Sequence, residues 1–152
     1  MHYNDCYDET FRDINDLYIR ESNITIKNNL NTTLIRTNVE LKGGHFRKGP
    51  WEDEELPGSI ISSGDKTTFS VNNEGISYVN GPKGSVTYTT ANPLKGVDNP
   101  RIILHWNNPL GTEKSTYYVT SYPSELIEYT QYPPEDVLDS WSHNIEIVIS
   151  EI

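Results

Sequence analysis

The chain of 152 residues has little cysteine and no long apolar run. Its single cysteine, Cys6, cannot form an internal disulfide, and it excludes zinc ribbons and fingers, which need several cysteines. The longest apolar runs, around residues 101–104 and 145–149, are far too short to span a bilayer. The first ten residues contain neither a basic segment nor an apolar stretch, so we expect no standard secretory signal peptide.

Positive charge is also scarce: 12 Lys and Arg stand against 22 Asp and Glu, a net charge of −10. This balance argues against a nucleic-acid-binding protein, because phosphate contacts need clustered basic residues. It also argues against purely electrostatic docking on anionic lipid, where each basic residue contributes only about 1 kcal/mol. Ten Tyr, three Trp and three Phe supply the aromatic bulk that a disordered acidic chain lacks. We therefore expect one polar, globular domain.

Residues 1–22 form an acidic arm with six acidic and two basic residues, a local charge of −4. Within the arm, apolar residues recur at helical spacing behind Thr10, a candidate N-cap: Phe11, Ile14, Leu17 and Tyr18. The pattern predicts a short amphipathic helix over 9–19. Its polar face is acidic, whereas helices at a membrane interface usually carry Lys and Arg there. We expect the arm to pack on the domain or to be loosely held.

From residue 23 onward the apolar residues alternate with polar ones, which is the period of half-buried β-strands. Turn-forming pairs such as Gly43-Gly44 and Asn108-Pro109 separate the alternating runs. About eight strands are predicted, at roughly 24–28, 33–41, 59–62, 66–72, 85–90, 100–107, 115–121 and 144–150. This spacing predicts an all-β fold in which residues 23–152 form a single-domain antiparallel two-sheet β-sandwich. Between 122 and 141 we expect a short strand at 125–129 and a helical turn at 135–138.

The sequence offers no pattern typical of catalysis or metal binding. The four histidines are scattered, with no pair at metal-ligand spacing, and a cross-strand or surface contact is the expected role of His105. Serines lie in no Gly-x-Ser-x-Gly turn, and no glycine-rich phosphate loop precedes a helix. The acidic run 52–55 lacks the alternating ligands of a calcium loop, so we interpret it as a solvated loop. We expect neither enzymatic activity nor a cofactor.

The aromatic side chains are the remaining candidates for ligand binding. Tyr and Trp have an apolar body and a polar tip, which suits lipid headgroups or the face of a sugar. Ten tyrosines exceed what the core of one small sandwich holds, so some must be displayed at the surface. The display of aromatic side chains indicates a binding protein.

Four segments resemble the aegerolysin family in order and spacing over about 23–120. Residues 105–119, HWNNPLGTEKSTYYV, are similar to the family's turn of aromatic-Trp-Asp/Asn-x-Pro-aromatic-Gly before a polar strand. Residues 81–88 resemble the preceding Gly-rich stretch, 24–29 the first strand, and 43–46 the Gly-Gly-x-Trp of bacterial insecticidal members. The chain departs from the pattern at Leu110, where the family often has an aromatic residue. It also departs at Glu113, where the family has a basic residue; the basic residue here is Lys114, one position later. Residues 1–22 and 122–143 lie outside the pattern.

The resemblance implies a small acidic β-sandwich without enzymatic activity that recognises sphingolipid- or sterol-rich membranes. Such proteins often lack a classical signal peptide, act outside the cell on target membranes, and work with a larger pore-forming protein; several are insecticidal. We therefore expect a lipid-binding cytolysin component, and self-association into a homo-oligomer stays open. The expected binding rim consists of Trp106, Pro109, Leu110, Lys114, Tyr117 and Tyr118.

Two alternatives stay open, one from a different class and one from a second cytolysin family. A carbohydrate-binding or protein-interaction sandwich would use displayed tyrosines and Asn-rich turns to bind a glycan. An actinoporin-like cytolysin shares a sandwich with an N-terminal amphipathic helix, although this chain lacks the exposed aromatic run of that family.

Overall fold

The structure is a computed structural model that describes residues 20–47, 54–73, 81–109, 114–138 and 142–152. The helix predicted over 9–19 and Leu110 of the predicted rim lie outside these residues. Within them, none of the helical segments has the length and apolar character needed to cross a bilayer.

The described residues form two five-stranded sheets, as the all-β sandwich prediction requires. The first sheet has the order β3-β5-β1-β10-β9 and the second the order β4-β2-β6-β7-β8. The strands of the first sheet are β1 (Glu21–Asn28), β3 (His45–Phe46), β5 (Lys66–Asn72), β9 (Ile127–Tyr132) and β10 (Ser142–Glu151). The strands of the second sheet are β2 (Leu34–Gly43), β4 (Ile60–Ile61), β6 (Lys83–Thr90), β7 (Arg101–Asn107) and β8 (Thr116–Tyr122).

The core lies between the sheets and is built from the alternating residues that the sequence shows. In β1, Ile24 and Ile26 are fully buried while Asn23 and Thr25 lie on the outer face. The same alternation gives β7 and β10 one apolar face each. Each sheet therefore presents a mostly polar outer face, and both candidate ligand sites lie on these faces.

The strand pattern differs from the prediction in three places. β1 and β10 pair in parallel, whereas every other described ladder is antiparallel. The alternation of apolar and polar residues is the same for parallel and antiparallel strands. It therefore predicted that β1 and β10 contribute to the core, but not that they run in the same direction. The strand predicted at 125–129 begins two residues later, at Ile127, and the helical turn is a short 3₁₀ turn at Glu135–Val137. The two-residue strand β3 is too short for a periodic signal, whereas β4 lies within the strand predicted at 59–62.

The arm also ends earlier than predicted. β1 begins at Glu21, so residues 21 and 22 belong to the sandwich. Arg20 is buried as well: its backbone N–H donates to Asn73 Oδ1 at 2.7 Å, and its Nε donates to the Pro109 carbonyl at 3.3 Å. Burial lowers the pKa of Arg20. Arg20 therefore contacts the segment that follows β5 in the first sheet and the segment that follows β7 in the second.

Candidate functional site

The structure separates the predicted rim into buried and exposed side chains. Trp106 and Tyr117 are only 1% and 2% exposed. Each alternates with outward-facing neighbours on β7 and β8, and this parity directs both rings into the core. The expectation that these two side chains contribute to an exposed rim is therefore wrong. Lys114 and Tyr118 are exposed, and Pro109 is half-buried.

Trp106 belongs to an aromatic cluster between the sheets. Its ring centroid lies 5.9 Å from that of Phe46 and 5.4 Å from that of Phe69, both in edge-on geometry. Gly84, its partner on β6, leaves the space that the indole occupies: a Cβ there would lie 2.9 Å from Trp106 Cζ2. Trp106 therefore stabilises the sandwich from within.

Tyr117 belongs to a buried polar network that joins the two sheets. Its hydroxyl lies 2.6 Å from Ser22 Oγ on β1 and 2.8 Å from His143 Nδ1 on β10. Asn108 extends the network, since its Nδ2 donates to Ser22 Oγ at 3.3 Å and its Oδ1 accepts from Ser115 Oγ at 2.8 Å. Burial raises the pKa of Tyr117, which keeps its hydroxyl protonated, although the hydrogen bond with Ser22 acts the opposite way.

Tyr118 points in the other direction, onto the outer face of the second sheet. It is 43% exposed and stacks on His105, its partner on β7, with centroids 4.5 Å apart and rings 12° from parallel. His105 Nε2 lies 3.1 Å from Thr120 Oγ1, which fixes the imidazole against β8. This is the cross-strand role expected for His105. Burial, and then the charge of Lys42, lower the pKa of His105, so its imidazole is neutral at physiological pH.

A depression of about 310 Å³ lies beside this stacked pair, and we call it the Tyr118 depression. Register aligns its lining in two rows across β2, β6, β7 and β8. One row runs from Glu40 through Ser85 and His105 to Tyr118, and the other from Lys83 through Asn107 to Thr116. Gly84, Trp106 and Lys42 also line the depression, and Lys42 forms a salt bridge of 3.4 Å with Glu40.

The Tyr118 depression has two ammonium groups, one carboxylate and an exposed aromatic ring in a space the size of a headgroup. Ammonium groups bind phosphate or another anion, and an exposed tyrosine ring accepts an apolar group or a cation. In the described parts of the chain, no cluster of three or more His, Cys, Asp or Glu side chains could hold a metal ion. The two ammonium groups and the exposed ring are therefore suited to binding a small charged or amphipathic ligand.

Lys114 is exposed but does not line the Tyr118 depression; of the charged and aromatic lining, the sequence predicted Tyr118 but missed Lys42, Lys83 and Glu40. These three residues lie more than 20 positions before Tyr118 in the chain, and only the pairing of β2 with β6 and of β6 with β7 places them beside it. In the sequence, polar residues at every second position of the predicted strands indicate which side chains lie on the outer faces. This pattern does not indicate which strands are neighbours in a sheet, so it could not bring these residues together.

No family model matches this chain, and a search of curated proteins found no match. Solved structures with the same fold were found. IP-1A from Alcaligenes faecalis superimposes with a TM-score of 0.63 at 19% identity, over 88% of this chain and 92% of that one. The lipid-binding protein Nakanori superimposes with a TM-score of 0.65 at 16% identity, over 87% of this chain and 71% of that one. The chain has an aegerolysin-like fold, as the sequence resemblance implied.

Proposed function

We propose that this chain is a membrane-lipid-binding protein that recognises lipid headgroups at the Tyr118 depression. The observation that carries the proposal is the exposed Tyr118 ring stacked on a neutral His105 beside Lys42 and Lys83. Similarity in fold to a lipid-binding protein supports it.

Both charged groups of a zwitterionic phospholipid headgroup have a suitable partner in the depression. Its phosphate would accept hydrogen bonds from Lys83 and Lys42, with Glu40 limiting the positive charge of the site. Its quaternary ammonium or ethanolamine group would lie over the Tyr118 ring, a cation–π contact worth about 0.5–2 kcal/mol. Tyr118 is also suited to headgroup depth, because its ring is apolar and its hydroxyl is polar. Lys114, exposed two residues before β8 and outside the depression, would offer a further phosphate contact at the membrane surface.

The overall charge is consistent with such a target. Residues 1–22 contribute −4 to the net charge of −10, and the Tyr118 depression itself has two lysines against one glutamate. We therefore propose a neutral or zwitterionic target surface, and the resemblance to aegerolysins adds that it is rich in sphingolipid or sterol. By its resemblance to aegerolysins, we propose a non-enzymatic role outside the producing cell, as the insecticidal or cytolytic component that delivers a larger pore-forming protein to the membrane.

Flotation with liposomes tests the lipid-binding proposal. Vesicles of phosphatidylcholine with sterol, and with sphingomyelin or ceramide phosphoethanolamine, would be mixed with wild-type protein and with Tyr118→Ala. Since the cation–π contact and the buried ring surface are both lost, we expect at least about tenfold weaker binding, equivalent to 1.4 kcal/mol.

Tyr122→Ala is the matched control. Tyr122 lies on the same strand and outer face, is 50% exposed, and stands four residues away, about 14 Å along β8. It contacts Arg101 outside the depression. Equal loss of binding in both variants, or no binding of the wild type to any vesicle, would contradict the proposal.

A further inference from the structure

A second and larger depression lies on the outer face of the other sheet. It has a volume of about 560 Å³, within the range of small-molecule sites. Its floor is formed by β5, β1 and β10, and we call it the polar groove. The sheets face each other back to back, so the polar groove and the Tyr118 depression open on opposite sides of the sandwich.

The floor of the polar groove consists mainly of uncharged hydrogen-bonding side chains aligned by strand register, with Glu146 as its one carboxylate. One row crosses the sheet from Ser70 on β5 through Asn23 on β1 to Asn144 on β10. The adjacent row runs through Thr68, Thr25, Glu146 and Tyr132. Four neighbouring strands at about 4.8 Å spacing make this second row about 14 Å wide.

Hydrogen bonds within the floor hold these side chains in place and leave part of their capacity unused. Asn23 Nδ2 donates to Asn144 Oδ1 at 3.0 Å, Ser70 Oγ donates to Asn23 Oδ1, and the hydroxyls of Thr25 and Thr68 lie 2.9 Å apart. Asn144 accepts in this network through Oδ1, and its exposed amide has two further N–H donors at Nδ2. The two threonine hydroxyls share one hydrogen bond, so one of their protons remains available. The floor thus offers fixed donors and acceptors side by side.

The walls of the polar groove differ in chemistry. Tyr132 forms one wall at the end of β9, and its side chain is 74% exposed, more than any other large hydrophobic residue in the described part of the chain. Arg47 and Glu55 line the opposite side next to β3. Glu55 is attached to that strand through its N–H, which donates to the Phe46 carbonyl at 3.0 Å.

We propose that the polar groove binds a neutral saccharide. A pyranose ring presents hydroxyls, each both donor and acceptor, around its rim, and an apolar face of C–H groups. Asn144, Thr25 and Thr68 offer donors and acceptors for the hydroxyls, and Tyr132 offers a flat ring for the C–H face. The lining has one cation against two carboxylates, which disfavours a phosphate or sulfate, and its polar floor disfavours an acyl chain.

Binding of free saccharides tests the proposal without any membrane. Saturation-transfer NMR would be recorded with a panel of disaccharides of glucose, galactose, mannose and N-acetylglucosamine, followed by titration of those that bind. The wild type should bind at least one. Tyr132→Ala should weaken that binding by at least about tenfold, and Asn144→Asp, which removes the amide donor, should weaken it as well. Tyr132→Trp should retain it, because the stacking surface is kept.

Tyr129→Ala is the control variant, because Tyr129 is an exposed tyrosine of the same strand that does not line the groove. A second arm uses vesicles containing neutral glycolipid, which separates a membrane-attached glycan from a free one. Loss of glycolipid-dependent flotation in Tyr132→Ala supports the proposal even where free disaccharides bind weakly. Absence of binding in both arms, or binding that Tyr132→Ala and Asn144→Asp leave unchanged, overturns it. Vesicles without glycolipid report separately on the Tyr118 depression, so failure of one site is distinguishable from failure of the other.

Discussion

Gly84 lies on β6 directly opposite Trp106, at a point where the chain has no room for a side chain. A Cβ at this position would lie 2.3 Å from the backbone oxygen of Glu40 and 2.9 Å from Trp106 Cζ2. The backbone lies on one side of this position and the fully buried indole of Trp106 on the other. Neither can move aside easily to make room for a side chain. The glycine is therefore required by close packing between β2, β6 and the aromatic cluster of Trp106, Phe46 and Phe69.

Gly84→Ala should destabilise the protein by about 1–3 kcal/mol, the usual cost of overpacking a core. Urea denaturation followed by tryptophan fluorescence would measure the free energy of unfolding. Ser85→Ala is the control, because Ser85 is the next residue and lies on the outer face, where the change should stay within about 0.5 kcal/mol. Equal stability of Gly84→Ala and wild type would show that the strands can separate to admit the methyl group.

At the scale of strands, the two sheets are joined by hydrogen bonds as well as by apolar packing. Ser22 on β1 and His143 on β10 are partners in the parallel pair of the first sheet, and both contact the hydroxyl of Tyr117 from the second sheet. All three side chains are buried. Buried polar groups of this kind contribute stability only while they stay paired, so Tyr117 fixes how the two sheets sit against each other at this end.

Tyr117→Phe removes the one hydroxyl that connects Ser22 and His143 and should cost about 1–3 kcal/mol. Tyr118→Phe makes the same chemical change on the adjacent, exposed residue and should leave the free energy of unfolding nearly unchanged. Both values come from chemical denaturation at pH 7. If the two variants are equally stable, the inter-sheet network contributes nothing to the fold.

At the scale of the whole molecule, ionisation of buried tyrosines limits stability at alkaline pH. Tyr88 is fully buried and donates from its hydroxyl to the Gly58 carbonyl at 2.7 Å. Burial raises its pKa, although the charge of Arg36 acts the other way. The unfolded chain therefore releases this proton near pH 10 while the folded chain keeps it. Stability from this group is complete below about pH 10 and is lost as the pH rises above it.

Tyr88→Phe should be less stable than wild type at pH 8 by about 1 kcal/mol, because the hydrogen bond to Gly58 is lost. Above about pH 10 this difference should shrink by up to about 1.4 kcal/mol per pH unit, since phenylalanine has no proton to release. Denaturation midpoints from pH 8 to 11 would measure it. A difference that stays constant across this range would mean that Tyr88 ionises equally in both states.

Each of the two proposed sites is formed by strands that are distant from one another in the chain. The Tyr118 depression combines β2, β6, β7 and β8, and the polar groove combines β5, β1, β10 and β9. From the sequence, Tyr118 and Lys114 could be selected for a binding surface, whereas Trp106 and Tyr117 could not be assigned to the core. Neighbouring aromatic residues such as Tyr117 and Tyr118 look alike in sequence, and only the position of the other sheet decides which of them is covered.

Residue alternation is a local property of each strand, and it is enough to predict the all-β class, most of the strands and the mostly polar outer faces. It does not predict the parallel pairing of β1 with β10, the burial of Trp106 and Tyr117, or the proximity of Lys42 and Lys83 to Tyr118. These features depend on which strands are neighbours and on how the two sheets face each other. Such long-range relations are set by the packing of the whole core.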